Sequence, residues 1–346
     1  MTYEPTEAEQ EIAVEHDGWL SIADIQPTEV EWLWKPYIPL GKLTLFDGDP
    51  GVGKSWASCA LVAAVTRGTG LPGVMDTEPR NVLMLSAEDG LGDTIRPRLE
   101  ALGARLDCVT ARNQSMTFDR QGMHQLEAQV EKVRPALIVV DPLFAFFGGE
   151  KDIYRDNEVR TVTNPLAKLA ETHGCAIIAV RHLTKRQQKA IYAGGGSMAL
   201  MGAARSALLF GHDAHSTQKL GFVHAKSNLA KKGGAIGYKI ESTPDERGRF
   251  EWTGDSDLTE ENILAMPDCR GKSEQGASTE AEDFLRDVLL AGEVPANEIF
   301  RQAEHAGIAG ITLRRAKRAL NVSARRVSEG NSGGGGWVWE LPMQPA

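Results

Sequence analysis

Residues 48–55 read Gly-Asp-Pro-Gly-Val-Gly-Lys-Ser, "GDPGVGKS", and this stretch decides the fold. It fits the pattern G-x-x-x-x-G-K-[ST]. Glycines let a loop curl until successive backbone N–H groups face phosphate oxygens. A helix opening near Ser55 adds its positive N-terminal end. Gly48, Asp49, Pro50, Gly51, Val52 and Gly53, with Lys54, Ser55 and the adjoining Trp56, therefore form the expected phosphate cradle. Lys54 is expected to reach the β- and γ-phosphates, and the Ser55 hydroxyl to bind Mg²⁺. The expected ligands are thus ATP and Mg²⁺, although no residue in the sequence names the base.

The flanking pattern supports a strand before the loop, "KLTLFDGD" (42–49), and a helix after it, "SWASCALVAAVTRG" (55–68). Further along, "NVLMLSAED" (81–89), "ALIVVD" (136–141) and "CAIIAVRH" (175–182) read as apolar strands between helical stretches. Continuous apolar strands separated by helices predict a parallel sheet covered on both faces. The helix "DNEVRTVTNPLAKLAETHG" carries Pro165, a potential bend. "RSALLF", "KLGFVHAKSN", "AIGYKIES" and "RFEWTG" are shorter and turn-separated, and read as antiparallel additions to one sheet edge.

Asp141 ends a buried strand, where an open sheet presents ligand groups, and is expected to hold Mg²⁺ through water. A strand-end Asp can also simply cap a turn. Hydrolysis needs a group to deprotonate water. Pro142 follows Asp141, so the base cannot come from the next position. Glu88 in "LMLSAEDG" is the candidate, on a strand expected to neighbour the phosphate-loop strand. A solvated loop acid is the alternative, and Asp89 is the second choice. Taking the base from a different strand than the metal acid is a RecA-like arrangement rather than an AAA+ one. His182 and Thr184, after the third apolar strand, are placed to sense the γ-phosphate.

The chain has 346 residues, a net charge of −9, 42 % hydrophobic and 25 % charged residues. These values are ordinary for a globular protein. The sequence has no apolar run long enough to span a membrane and no signal peptide, and its four scattered cysteines form no C-x-x-C pair, so a cytoplasmic location is expected. Residues 1–40 hold nine acids and Lys35 alone as a base, which leaves the remaining 306 residues at −1. The overall acidity is therefore no argument against a nucleic-acid partner.

Four segments are expected: an acidic tail (1–30), an ATPase domain (31–255), a polar linker (256–278) and a compact C-terminal module (279–343). Thr279 and Glu282 form a capping box for the first helix of that module. Three helices followed by a strand, a glycine-rich turn and a strand predict a winged helix-turn-helix. On its third helix Leu313, Ala316 and Leu320 share one arc. Arg314, Arg315, Lys317 and Arg318 take the opposite arc, with Arg325 and Arg326 beyond. Such a helix enters the major groove in helix-turn-helix proteins, so duplex DNA is an expected partner. Trp337 and Trp339 alternate with Val338, so both rings are expected on one face of the wing strand, packed against the helices rather than stacked on bases.

The chain resembles the RepA-type hexameric replicative helicases, a branch of the RecA-like ATPases related to the DnaB helicases. The resemblance covers about residues 30–255. It rests on "EWLWKPYIPLGKLTLFDGDPGVGKS", "SAED", "LIVVDPL", "RHLTK", "GGGSMALMGAARSALLF" and "HAKSNLA". It implies an α/β RecA-like P-loop NTPase fold with a mostly parallel central sheet and antiparallel edge strands. It further implies a homo-oligomeric ring, single-stranded DNA in its channel, and a primase or initiator as a possible replication partner. Within the Gly196-Ser197…Arg205 stretch and Lys226-x-Asn228, the resemblance makes Lys226 the first candidate for a cation acting on the neighbouring subunit's nucleotide, and Arg205 the second. DnaB-type rings carry Arg where Asn228 stands, and an Arg is expected where Gly195 stands. Lys185, Arg186 and Lys189 fall where RecA-like rings grip single-stranded DNA. The implied role is a replicative helicase or helicase loader of a plasmid, phage or prophage. An ATP-gated DNA-binding regulator and a recombinase-like filament are the other readings.

Overall fold

A computed structural model describes residues 19–112, 114–148, 155–182, 196–213, 216–241 and 248–264, then 281, 282, 284, 285, 288, 289, 293–305, 308, 310–327 and 336–341. The chain forms two compact units, Met1–Leu264 and Ala265–Ala346.

In the first unit a short antiparallel pair, β1 (Trp32–Trp34) and β2 (Ile38–Pro39), leads into β3 (Leu43–Gly48). There follow α1 (Lys54–Arg67), β4 (Val82–Ser86), α2 (Arg96–Ala101), β5 (Val109–Arg112), α3 (Arg120–Val133) and β6 (Leu137–Asp141). Next come α4 (Asp156–His173), β7 (Ala176–His182), α5 (Gly196–Ala203), β8 (Ser206–Asp213), β9 (Ser216–Ser227), β10 (Ala235–Glu241), β11 (Arg249–Ser256) and α6 (Glu260–Leu264). Pro165 lies on the exposed side of α4, which continues through it.

One nine-stranded sheet runs β5-β4-β6-β7-β3-β8-β9-β10-β11. Its apolar strands alternate between two cores, as the period of two requires. Leu43, Leu45, Ile138, Val140, Ile177 and Ala179 pack with α3 and α4. Phe46, Leu137, Val139, Ile178 and Val180 pack with α1. Helix α1 is apolar nearly all round and buried from Ala57 to Thr66, as its place under the sheet demands.

Two expectations about the sheet are corrected. β8 runs parallel to β3, so only β9, β10 and β11 form the antiparallel edge. β4 does not neighbour β3, because β6 and β7 lie between them. The first unit also runs past the expected boundary at 255: Leu258 is buried and Ile263 and Leu264 pack against the core.

In the second unit, Ala281, Glu282, Phe284, Leu285, Val288 and Leu289 are helical. Then follow β12 (Val294–Pro295), α7 (Ala296–His305), α8 (Gly310–Ala319), β13 (Ser323–Val327) and β14 (Gly336–Glu340), with sheet order β12-β14-β13. Leu285, Leu289, Ile299, Ala303, Leu313, Ala316 and Trp339 form its core. Pro295 belongs to the short strand β12, and the helix begins at the next residue, Ala296. The two tryptophans of β14 part company: Trp339 is buried against Phe300, whereas Trp337 is 55 % exposed. Thr279 and the hairpin tip lie outside the described residues.

Candidate nucleotide site

β3 delivers the phosphate loop at its C-terminal end. Gly53 has φ +87° and a Cβ there would meet Ile240 Cδ1 at 2.3 Å. Gly48 lies so close to the Phe210 carbonyl that a Cβ would fall 2.4 Å from its oxygen. Both positions are therefore restricted to glycine. The Tyr238 hydroxyl on β10 donates to Val52 O at 2.5 Å and ties the loop to the far edge of the sheet. Trp56 stands at the start of α1 with the Arg98 guanidinium 5.1 Å from its ring centre.

Lys54 is buried, and its ammonium donates to Gly48 O and Asp49 O, both at 2.7 Å. Burial pulls its pKa down to about 8, against the charges of Asp141, Asp47, Asp49 and Glu88. Asp141 shares a hydrogen bond with Ser55. Burial raises its pKa, and the Ser55 bond opposes the rise. A hydroxyl and a carboxylate in contact are hard oxygen donors, the kind Mg²⁺ takes while keeping water and phosphate oxygens as its other ligands. Ser55 and Asp141 thus fit the ion. Among the described residues no group of three or more His, Cys, Asp or Glu could hold a metal by itself.

Glu88 lies in the loop beyond β4. Ser86 pairs in register with Asp141, which brings that loop beside the metal acid. Glu88 Oε2 is 3.4 Å from His182 Nε2, at the tip of β7. The two residues thus approach across β6, which lies between their strands. The other ring nitrogen of His182, Nδ1, is buried without a hydrogen-bond partner. Asp89, the second choice for the base, is bound by Arg98 Nη1 at 2.8 Å.

Sequence reasoning missed Asp47 and Arg181. They are register partners on β3 and β7, one residue before Gly48 and His182, which are themselves partners. Arg181 Nε donates to Asp47 Oδ1 at 2.8 Å and Nη2 to Oδ2 at 2.6 Å, with both side chains buried. A charge at the end of each of two apolar strands, "LFDG" and "AVRH", was the available signal.

The two cations implied by resemblance differ in placement. Lys226 donates to Ala204 O at 2.8 Å and to Met201 O, closing the C-terminal end of α5 in its own chain. Its pKa is lowered by burial and by Arg205. Arg205 is exposed, and its N–H binds Leu43 O at 3.0 Å, at the opposite end of β3 from the phosphate loop. Beyond Lys226 the turn is pinned by His224. Its Nδ1 accepts from Gly233 N at 2.9 Å, its Nε2 lies 3.0 Å from Ser206 Oγ, and that hydroxyl donates to Tyr37 O at 2.6 Å. Burial, then the Lys232 charge, lowers the His224 pKa to about 4.

Lys185, Arg186 and Lys189 lie outside the described residues. In the second unit Arg314, Arg315 and Arg318 are exposed on α8. Lys317 differs, with its ammonium 4.3 Å over the Trp339 ring, and Arg314 lies 5.6 Å over Phe300. Arg325 pairs with Glu293. The basic arc is therefore narrower than its sequence suggests.

Fold and loop together define a P-loop nucleotide-binding α/β domain. A family described as "AAA domain" matches residues 8–188, and the chain belongs to it. Within that family it is related to RecA-like P-loop ATPases. The DNA repair protein RadA of Mycobacterium tuberculosis is 33 % identical over 147 residues, 42 % of this chain and 28 % of its own. RadA of Streptococcus pneumoniae is 30 % identical over 147 residues, 42 % of this chain and 31 % of its own. RadA of Halalkalibacterium halodurans is 28 % identical over 189 residues, 52 % of this chain and 35 % of its own. The chain spans about a third or less of the length of these relatives. A KaiC-like protein from Pyrococcus horikoshii has a solved structure with TM-score 0.46 and 11 % identity, covering 66 % of this chain and 99 % of that one. No helix among the described residues is long and apolar enough to cross a membrane.

Proposed function

We propose that the chain is an ATP-hydrolysing, DNA-stimulated motor that works as a ring, in the manner of a RepA-type replicative helicase or helicase loader. Lys54 and the loop N–H groups hold the triphosphate, Ser55 and Asp141 hold Mg²⁺, and Glu88 accepts the proton of the attacking water. Mg²⁺ bound there would offset charge on the phosphate oxygens. The transition-state cation comes from a neighbouring copy. Arg205 is separated from its own loop by the length of β3, roughly 16 Å at about 3.3 Å per residue, too far to serve its own site.

The observation that carries the reading is the Glu88–His182 contact of 3.4 Å. It joins the hydrolytic carboxylate to the last residue before the segment bearing Lys185, Arg186 and Lys189. Phosphate cleavage and the grip on single-stranded DNA then share one side chain. A strand-displacement assay on a 5′-tailed duplex tests this. ATP-dependent unwinding, with turnover accelerated by single-stranded DNA, is expected. ATP turnover indifferent to DNA, with no unwinding, overturns it.

The exposed Arg314, Arg315 and Arg318 favour a second reading, in which the C-terminal unit is a winged helix-turn-helix and the protein an ATP-gated regulator bound to duplex DNA. Sequence-specific duplex binding without unwinding would select that reading.

A further inference from the structure

A charge pair at full burial inside a sheet calls for an explanation. Asp47 and Arg181 are 3 % and 0 % exposed. Such a pair adds little net stability, because two apolar side chains of similar volume serve as well. Its location separates it from an ordinary buried pair. Asp47 immediately precedes Gly48, whose carbonyl receives the Lys54 ammonium. Arg181 immediately precedes His182, which touches Glu88.

We propose that the Asp47–Arg181 pair is a positioning element of the nucleotide site, fixing the His182 tip of β7 against the phosphate loop; the inference rests on the ATP-hydrolysing reading above. The guanidinium fork meets the carboxylate with two bonds, at 2.8 and 2.6 Å, so neither strand end can slide or tilt while both persist. The backbone pairing of Gly48 with His182 is the last rung of this ladder, and the side-chain fork reinforces it one rung back. Any misalignment of β3 against β7 is transmitted to the spacing between Lys54 on one side of the phosphates and His182 with Glu88 on the other. A shift of about 1 Å in such a constellation can cost on the order of a hundredfold in rate. Arg181 also neutralises a carboxylate whose charge reaches Lys54.

The test uses the full chain and two variants, neither altering a residue that contacts nucleotide. D47L/R181M replaces the pair by apolar side chains. R181K keeps the charge and loses the fork. Thermal melting, MgATP dissociation constants, and kcat and KM for phosphate release are measured on each. The expected result is folded D47L/R181M that binds MgATP within about threefold of the parent while kcat falls by roughly tenfold or more. R181K is expected to fall between the two. Parent kcat in folded D47L/R181M overturns the proposal. Should D47L/R181M fail to fold, R181K decides: reduced kcat at unchanged MgATP affinity supports the proposal, and parent kcat overturns it. A parent that hydrolyses no ATP at all sinks the functional reading itself, a result distinct from either.

Discussion

Glu88 Oε2 and His182 Nε2 lie 3.4 Å apart, although their strands are separated by β6. The carboxylate is 62 % exposed and the imidazole 35 %, so the contact forms at the open mouth of the site. On the proposed reading Glu88 would accept a proton there, open to water and aimed by its neighbour.

Glu88→Gln keeps the size and hydrogen-bonding reach of this residue and removes its basicity. The variant is expected to bind MgATP within a few-fold of the parent. Its kcat should drop by about 10²–10³, within the span of general-base effects. Phosphate release beside fluorescent-nucleotide titration checks both halves, and normal turnover removes Glu88 from the role.

The pKa of Lys54 is lowered to about 8 by burial. A bound triphosphate favours the ammonium, so the complex has the higher pKa. Affinity for MgATP is therefore expected to hold below pH 8 and to fall above it, approaching tenfold per pH unit. Binding above pH 8 should take up a proton, read as a dependence of the calorimetric heat on buffer ionisation enthalpy.

In the proposed ring, Arg205→Ala and Glu88→Gln would place their defects on opposite sides of a subunit boundary. Each alone is expected to be inactive. Mixed as monomers at equal ratio and reassembled, they should recover roughly a quarter of the parent rate, since a head-to-tail contact pairs an intact Glu88 with an intact Arg205 at one interface in four. A mixture as inactive as its components would mean Arg205 acts elsewhere.

His224 is neutral in the folded chain, its pKa lowered to about 4, and returns to the ordinary histidine range on unfolding. The folded form thus binds fewer protons, and stability is lost as pH falls from about 6.5 towards 4, by ~3 kcal/mol at most. Urea melts across that window should show the slope in the parent and not in His224→Gln.

The phosphate loop was legible because its glycines, lysine and serine are consecutive in sequence, and Asp141 because a buried strand ends on it. Glu88 was chosen as a candidate for a partly mistaken reason. Its loop reaches the site through the register of Ser86 with Asp141 on β6, not by adjacency to β3, and strand order is not written in any local pattern. The Asp47–Arg181 pair joins positions 134 apart in the chain and needs the β3–β7 register to be seen. Lys226 matched by resemblance, but its donation to carbonyls at the end of α5 is a tertiary fact. Trp337 and Trp339 share a strand face by periodicity, yet the helices beneath cover only one of them.

The ammonium of Lys54 rests on Gly48 O and Asp49 O, so the loop supplies two acceptors of its own for that charge. Any anionic oxygen that engages this ammonium competes with two carbonyl acceptors at once. On the ATP-hydrolysing reading, a chain of phosphates would meet that competition with several anionic oxygens, ahead of any reading of the base attached to it.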